Sequence, residues 1–142
     1  MKRWFVLVAV LAVMAIPQVF AADLPRTASP ADAKVYFISP KNGATVHGPV
    51  TVRFGLSGMG VAPAGTVAEN TGHHHLIVDA PLPAMDQPLP KDDTHLHFGK
   101  GQTETVLTLA PGKHTLQLVL GDSNHIPQDP PVTSEKITIW VK

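Results

Sequence analysis

Five of the eight histidines fall in two short clusters, Gly72-His73-His74-His75-Leu76 and His95-Leu96-His97-Phe98. Imidazole is the commonest protein ligand of metals, and its unperturbed titration lies near neutral pH. The clusters therefore point first to a metal site. On an extended strand, side chains i and i+2 emerge on one face, so His73 pairs with His75 and His95 with His97. Two such pairs on neighbouring strands would offer four nitrogens to one ion. The polar segment Leu120-Gly121-Asp122-Ser123-Asn124-His125-Ile126-Pro127 follows a strand-like run, where binding residues are commonly presented, and brings His125 into the candidate set. The candidate ligands are His73, His75, His95, His97 and His125. Copper is the first choice of ion and zinc the second, because imidazole suits both.

Other residues have simpler readings. Alternation alone does not decide which face of the first cluster meets the core. Leu76 and Val78 make their face the more apolar, which turns His73 and His75 outward and leaves His74 partly buried, hydrogen-bonded inside the sheet. In the second cluster Leu96 and Phe98 belong inside, so His95 and His97 project together on the other face. Asp122 reads as a turn residue or as an acceptor that orients a ligand imidazole. His47 and His114 read as structural or solvated, Met59 as packed on a sheet edge, and Lys91-Asp92-Asp93 as a solvated loop tip.

The N-terminus predicts the compartment. Met1-Lys2-Arg3, an apolar run from Trp4 to Ile16 and the small residues of Val19-Phe20-Ala21-Ala22 are the parts of a secretory signal peptide, with cleavage expected after Ala21. The run is shorter than the ~20 residues needed to span a bilayer, and no later segment is continuously apolar. An exported protein, periplasmic or secreted, is expected, with no membrane span once the signal is removed. The excised segment carries Lys2 and Arg3 and no acid, so the remainder has two more acidic than basic side chains. That field is too weak to predict a nucleic-acid partner. The absence of cysteine excludes disulfides, zinc ribbons, iron–sulfur clusters and thiolate copper centres.

The elements that must position the histidines read as strands. Pro, Gly and Asn recur too often for long helices, while short alternating runs occur at Val35–Ile38, Val50–Leu56, Thr103–Leu109, His114–Leu120 and Lys136–Val141. Ser39-Pro40-Lys41-Asn42-Gly43 and Ala110-Pro111-Gly112-Lys113 carry turn residues between them. The pattern predicts an all-β immunoglobulin-like β-sandwich occupying residues 34–142 as one domain, after a flexible leader over 22–33. Ala80–Asp93, with four prolines, reads as a long loop, and loops of that length commonly serve function.

Gly72-His73-His74-His75-Leu76-Ile77-Val78-Asp79, His95-Leu96-His97-Phe98-Gly99-Lys100-Gly101-Gln102-Thr103-Glu104 and Leu120-Gly121-Asp122 through His125-Ile126-Pro127 to Pro130-Pro131 together resemble a family of small exported bacterial proteins of unknown function. The resemblance runs from about Val35 to the C-terminus. It implies an exported β domain in which these segments belong to one pattern, and it implies no particular chemistry.

No Gly-x-Ser-x-Gly elbow, His-Glu-x-x-His helix or Walker loop is present. The sequence thus favours an envelope metal-binding protein for carriage, buffering or sensing. The alternatives are a structural or interaction module with hydrogen-bonded histidines and an unidentified envelope partner, and, third, a metal-dependent enzyme.

Overall fold

A computed structural model of the chain describes residues 24–142. The expected signal peptide lies outside these residues. Among them nine strands follow in order: β1 (Lys34–Ser39), β2 (Thr45–Val46), β3 (Val50–Ser57), β4 (Gly60–Val61), β5 (Thr71–Val78), β6 (His95–His97), β7 (Glu104–Leu107), β8 (Gly112–Gly121) and β9 (Ile137–Val141). The protein is all-β, with no helix among the described residues and none that could cross a membrane.

The strands form two sheets. One has the order β1-β3-β7, and the other runs β2-β9-β8-β5-β4, with β6 also paired to β5. Apolar alternation explains how they meet. Val35 and Phe37 of β1, Val50, Val52 and Phe54 of β3 and Leu107 of β7 turn toward Leu76 and Val78 of β5, Leu116, Leu118 and Leu120 of β8, and Ile137, Ile139 and Val141 of β9. All of these side chains are buried, so the hydrophobic effect acts between the two sheets. Turn chemistry fixes the ends. Gly43 takes φ 81°, a region that favours glycine, while the Asn42 side chain accepts from the Thr138 amide at 2.8 Å and ties the turn to β9.

The second face of the β5–β8 pair is covered as well. Residues 79–94 contain no strand, as the prolines predict, and bring Leu89 down onto Ile77 and Val119 in a small separate apolar cluster. A strand buried on both faces loses simple inside–outside alternation. Within the segment expected to be a flexible leader, residues 26–29 lie along the body: the Ser29 amide donates to the Asp129 carbonyl at 3.2 Å, the Asp129 amide donates to the Thr27 carbonyl at 2.8 Å, and the Arg26 guanidinium lies 3.3 Å from the Asp129 carboxylate. These contacts run largely through backbone groups, which leave no apolar pattern in the sequence.

Candidate metal centre

Strand register brings the two histidine clusters together. β5 and β6 are antiparallel, with His75 opposite His97, Leu76 opposite Leu96 and Ile77 opposite His95. On its other side β5 pairs with β8, so that His73 stands opposite Gly121 and His75 opposite Val119. The chain then leaves β8 at Gly121 and returns at once through a tight loop that delivers His125. One ring nitrogen from each of His73, His75, His97 and His125 lies within 4.8 Å of the others.

Four of the five expected ligands therefore meet, and His95 stands apart. It shares the face of His97 but lies two residues farther along β6, a displacement of about 6.5 Å, which sets it over Ile77. There its Nδ1 lies 2.9 Å from Asp92 Oδ1 and 3.1 Å from Oδ2, and Thr94 Oγ1 is 3.0 Å from the same nitrogen. The hydrogen bond with His95 is the main reason the Asp92 carboxyl is held down at about 2, with the Thr94 amide and hydroxyl adding to it.

The inward and outward faces of β5 are as the apolar count suggested, but outward does not mean exposed. His73 is 1% and His75 2% exposed, because residues 79–94 and the loop after β8 roof this face. His74 points to the intersheet core, with its ring centroid 5.1 Å from that of Phe54. It has no hydrogen bond: both ring nitrogens are buried without a partner, contrary to the expectation of a bond inside the sheet. Burial lowers its pKa to about 4, and the Gln102 backbone offsets this only in part, without closing a bond of good geometry.

The loop that presents His125 is built on Asp122, which is 2% exposed. Its Oδ1 accepts from the amides of Asn124 at 2.8 Å and Ile126 at 3.0 Å, and its Oδ2 accepts from Thr27 Oγ1 at 2.8 Å. The carboxylate thus organises backbone, as an Asx-type turn does, and does not reach the imidazoles as a ligand. His125 sits at φ 66°, uncommon for a residue with a side chain. Its carbonyl accepts from the Leu89 amide at 2.8 Å, and the Ser123 carbonyl accepts from Gly65 at 3.0 Å, so two further loops pin the segment.

Glycines leave room for the rings. A Cβ on Gly121 would lie 2.9 Å from His75 Nε2, and one on Gly99 would fall on the His97 ring. His75 Nδ1, on the far side of its ring, is buried with no partner. Packing orients this imidazole in place of the hydrogen bond that usually orients a metal ligand.

The nitrogens fit a cation better than they fit one another. His73 Nε2 lies 3.0 Å from His75 Nε2 and 3.1 Å from His125 Nδ1. A neutral ring nitrogen has one in-plane site, either a proton or a lone pair, so His73 Nε2 can satisfy only one of the two neighbours. Two nitrogens about 2.0–2.1 Å from one ion and roughly 90–110° apart would lie about 2.8–3.4 Å from each other. Both observed separations fall in that range. Burial first, then the charges of His125 and His97, lower the His73 pKa to about 4. Burial and the charges of His73, His97 and His125 lower that of His75 to about 2. Burial and the charges of His125 and Lys91 also lower His97. These rings are neutral at neutral pH, with lone pairs free for a metal.

Residues 52–142 match the family described as a domain of unknown function (DUF4399). The chain belongs to this family. The DUF4399 region starts inside β3 and contains all four clustered histidines together with Asp122, Gly99 and Gly121. No curated protein and no solved structure matches the chain.

The remaining sequence candidates have structural places. Met59 packs against the core cluster. His114 Nδ1 lies 2.6 Å from Asp79 Oδ2 and its Nε2 2.8 Å from the Ala110 carbonyl oxygen. A cleft of about 550 Å³ between β1 and residues 131–137 is lined by no histidine. Lys91, read from sequence as part of a solvated tip, lines a second cleft of about 280 Å³ with Leu89, His75, His97 and His125. Sequence gave no signal for this, because Lys91 approaches the site through a loop of no regular period.

Proposed function

We propose that this is an exported metal-binding protein that holds one copper or zinc ion through His73, His75, His97 and His125 on an immunoglobulin-like β-sandwich. Its role is carriage, buffering or sensing of that ion in the cell envelope. The observation that carries the reading is the convergence of four imidazoles from β5, β6 and the loop after β8, with ring nitrogens mutually within 4.8 Å. An all-nitrogen, cysteine-free donor set suits copper(II) and zinc(II). Export rests on the basic, apolar and small-residue order of residues 1–22.

Calorimetric titration of the metal-free protein with copper(II) and with zinc(II) tests it. One equivalent of at least one ion should bind, and binding should raise the melting temperature, since a ligand specific to the folded state stabilises that state. His97→Ala and His125→Ala, at half-buried positions, should lose most of this affinity while remaining folded. Absence of uptake by the wild type would leave the histidines as a hydrogen-bonded brace between loops, the interaction-module alternative.

A further inference from the structure

The imidazole cluster is closed on one side and open on the other. His73 is 1% exposed and does not line the 280 Å³ cleft, whereas His75, His97 and His125 form its floor and Leu89 and Lys91 its walls. A water's share of liquid volume is about 30 Å³, so the cleft holds several waters or one small solute. We propose that this cleft binds a small monovalent anion, which completes the coordination of the ion on the side away from His73 and pairs with the Lys91 ammonium. The inference rests on the metal-binding reading above.

Charge carries the argument. Four imidazole ligands bring no negative charge to a divalent cation, and charge removed from water is costly unless it is paired. The carboxylate behind His73, Asp122, already accepts from two amides and the Thr27 hydroxyl. The acids that follow Lys91 do not line the cleft, and Asp92 is engaged by Thr94 and His95. The charged side chain that does line it, Lys91, has the same sign as the metal. A lysine there opposes a bare cation, but it favours an anion lying between itself and the ion. Leu89, the apolar residue of the lining, keeps the local dielectric low and strengthens that field in the cleft.

The test uses the full protein loaded with one equivalent of copper(II), titrated with azide in chloride-free buffer and followed by the azide-to-copper charge-transfer band and by electron paramagnetic resonance. Azide should bind saturably and change both spectra. Lys91→Met should take up copper(II) at least as tightly as the wild type does but bind azide about fivefold more weakly, the scale of one partly screened charge, and Lys91→Arg should restore most of the affinity. A copper-loaded protein whose spectra do not respond to azide overturns the inference, as does equal azide affinity in Lys91→Met. Either result leaves the metal reading standing. Failure of copper(II) to bind before azide is added overturns the inference, and the metal reading falls with it where zinc(II) fails to bind as well; the resonance spectrum recorded before azide distinguishes the two failures.

Discussion

The amide of His125 donates to the Asp122 carbonyl at 3.0 Å, and so the residue that organises the loop also sets the backbone of the residue that completes the imidazole cluster. Asp122 further holds the amides of Asn124 and Ile126 through its carboxylate. Asp122→Ala would leave both amides without their acceptor, at a cost of about 1–3 kcal/mol for a buried unpaired group. It would also release His125 from φ 66°. Metal affinity should fall roughly tenfold or more, as for other residues that orient ligands, with His73 and His75 still in place. Calorimetry paired with thermal melts checks this; unchanged affinity would show that the loop holds His125 without the carboxylate.

Protonation gives a second expectation. In the unfolded chain imidazoles gain protons as pH falls through about 6.5, whereas folded His73 and His74 do so near 4 and His75 near 2. Between these values the unfolded state binds more protons, so stability falls as pH falls. The metal-free protein should therefore lose melting temperature steadily from about pH 6.5 to about pH 4. His114 acts in the other direction: its hydrogen bond with Asp79, then that with the Ala110 carbonyl, raises its pKa, so its contribution is present below 6.5 and lost as pH rises through the raised value. Melts of chelator-treated protein across this range measure the sum. A flat profile between about pH 6.5 and 4.5 would contradict the neutral, buried state of His73 and His74.

Much of this was legible in the chain. Alternation at Val50–Leu56 and His114–Leu120 located β3 and β8, and the i, i+2 rule placed His73 and His75 on one face and His74 on the other. The rule could not separate His95 from His97, because they share a face and differ only in what stands opposite: Ile77 for one and His75 for the other. Register across two strands is a long-range property, set by the packing of Leu76 and Leu96 and absent from either strand alone. The burial of His73 and His75 was hidden for a similar reason, since their cover comes from residues 79–94, whose proline-rich sequence shows no period.

That difference in register yields a third prediction. His95→Ala should alter metal affinity little, because the ring is occupied with Asp92 and Thr94, whereas His97→Ala removes a ligand. Comparable losses in the two variants, measured by competition with a chromophoric chelator, would mean that β6 shifts register on binding.

Gly121 offers a probe of ring placement that removes no ligand. An alanine Cβ there would stand 2.9 Å from His75 Nε2 and 3.2 Å from its Cδ2, closer than packed atoms allow, and the neighbour that must move is the ring itself. Gly121→Ala should therefore weaken metal binding clearly while keeping the fold. Since Gly121 does not take a positive φ, no backbone strain confuses the result. Affinity equal to that of the wild type would show that His75 is dispensable to the centre.

His74 separates structure from chemistry within the three consecutive histidines. Its ring is fully buried between the sheets, beside Phe54, with both nitrogens unpartnered. Burying a polar group without a hydrogen bond is unfavourable, and replacing it by an apolar group of similar size is commonly neutral or stabilising. His74→Leu should therefore hold or raise the melting temperature, and the gain should widen as pH falls from about 6.5 toward 4, where the buried imidazole opposes protonation. Because His74 faces away from His73 and His75, metal affinity should stay within a small factor of the wild type. A sharp loss of affinity in a well-folded His74→Leu protein would place this ring in the metal centre and would require β5 to twist from the observed register.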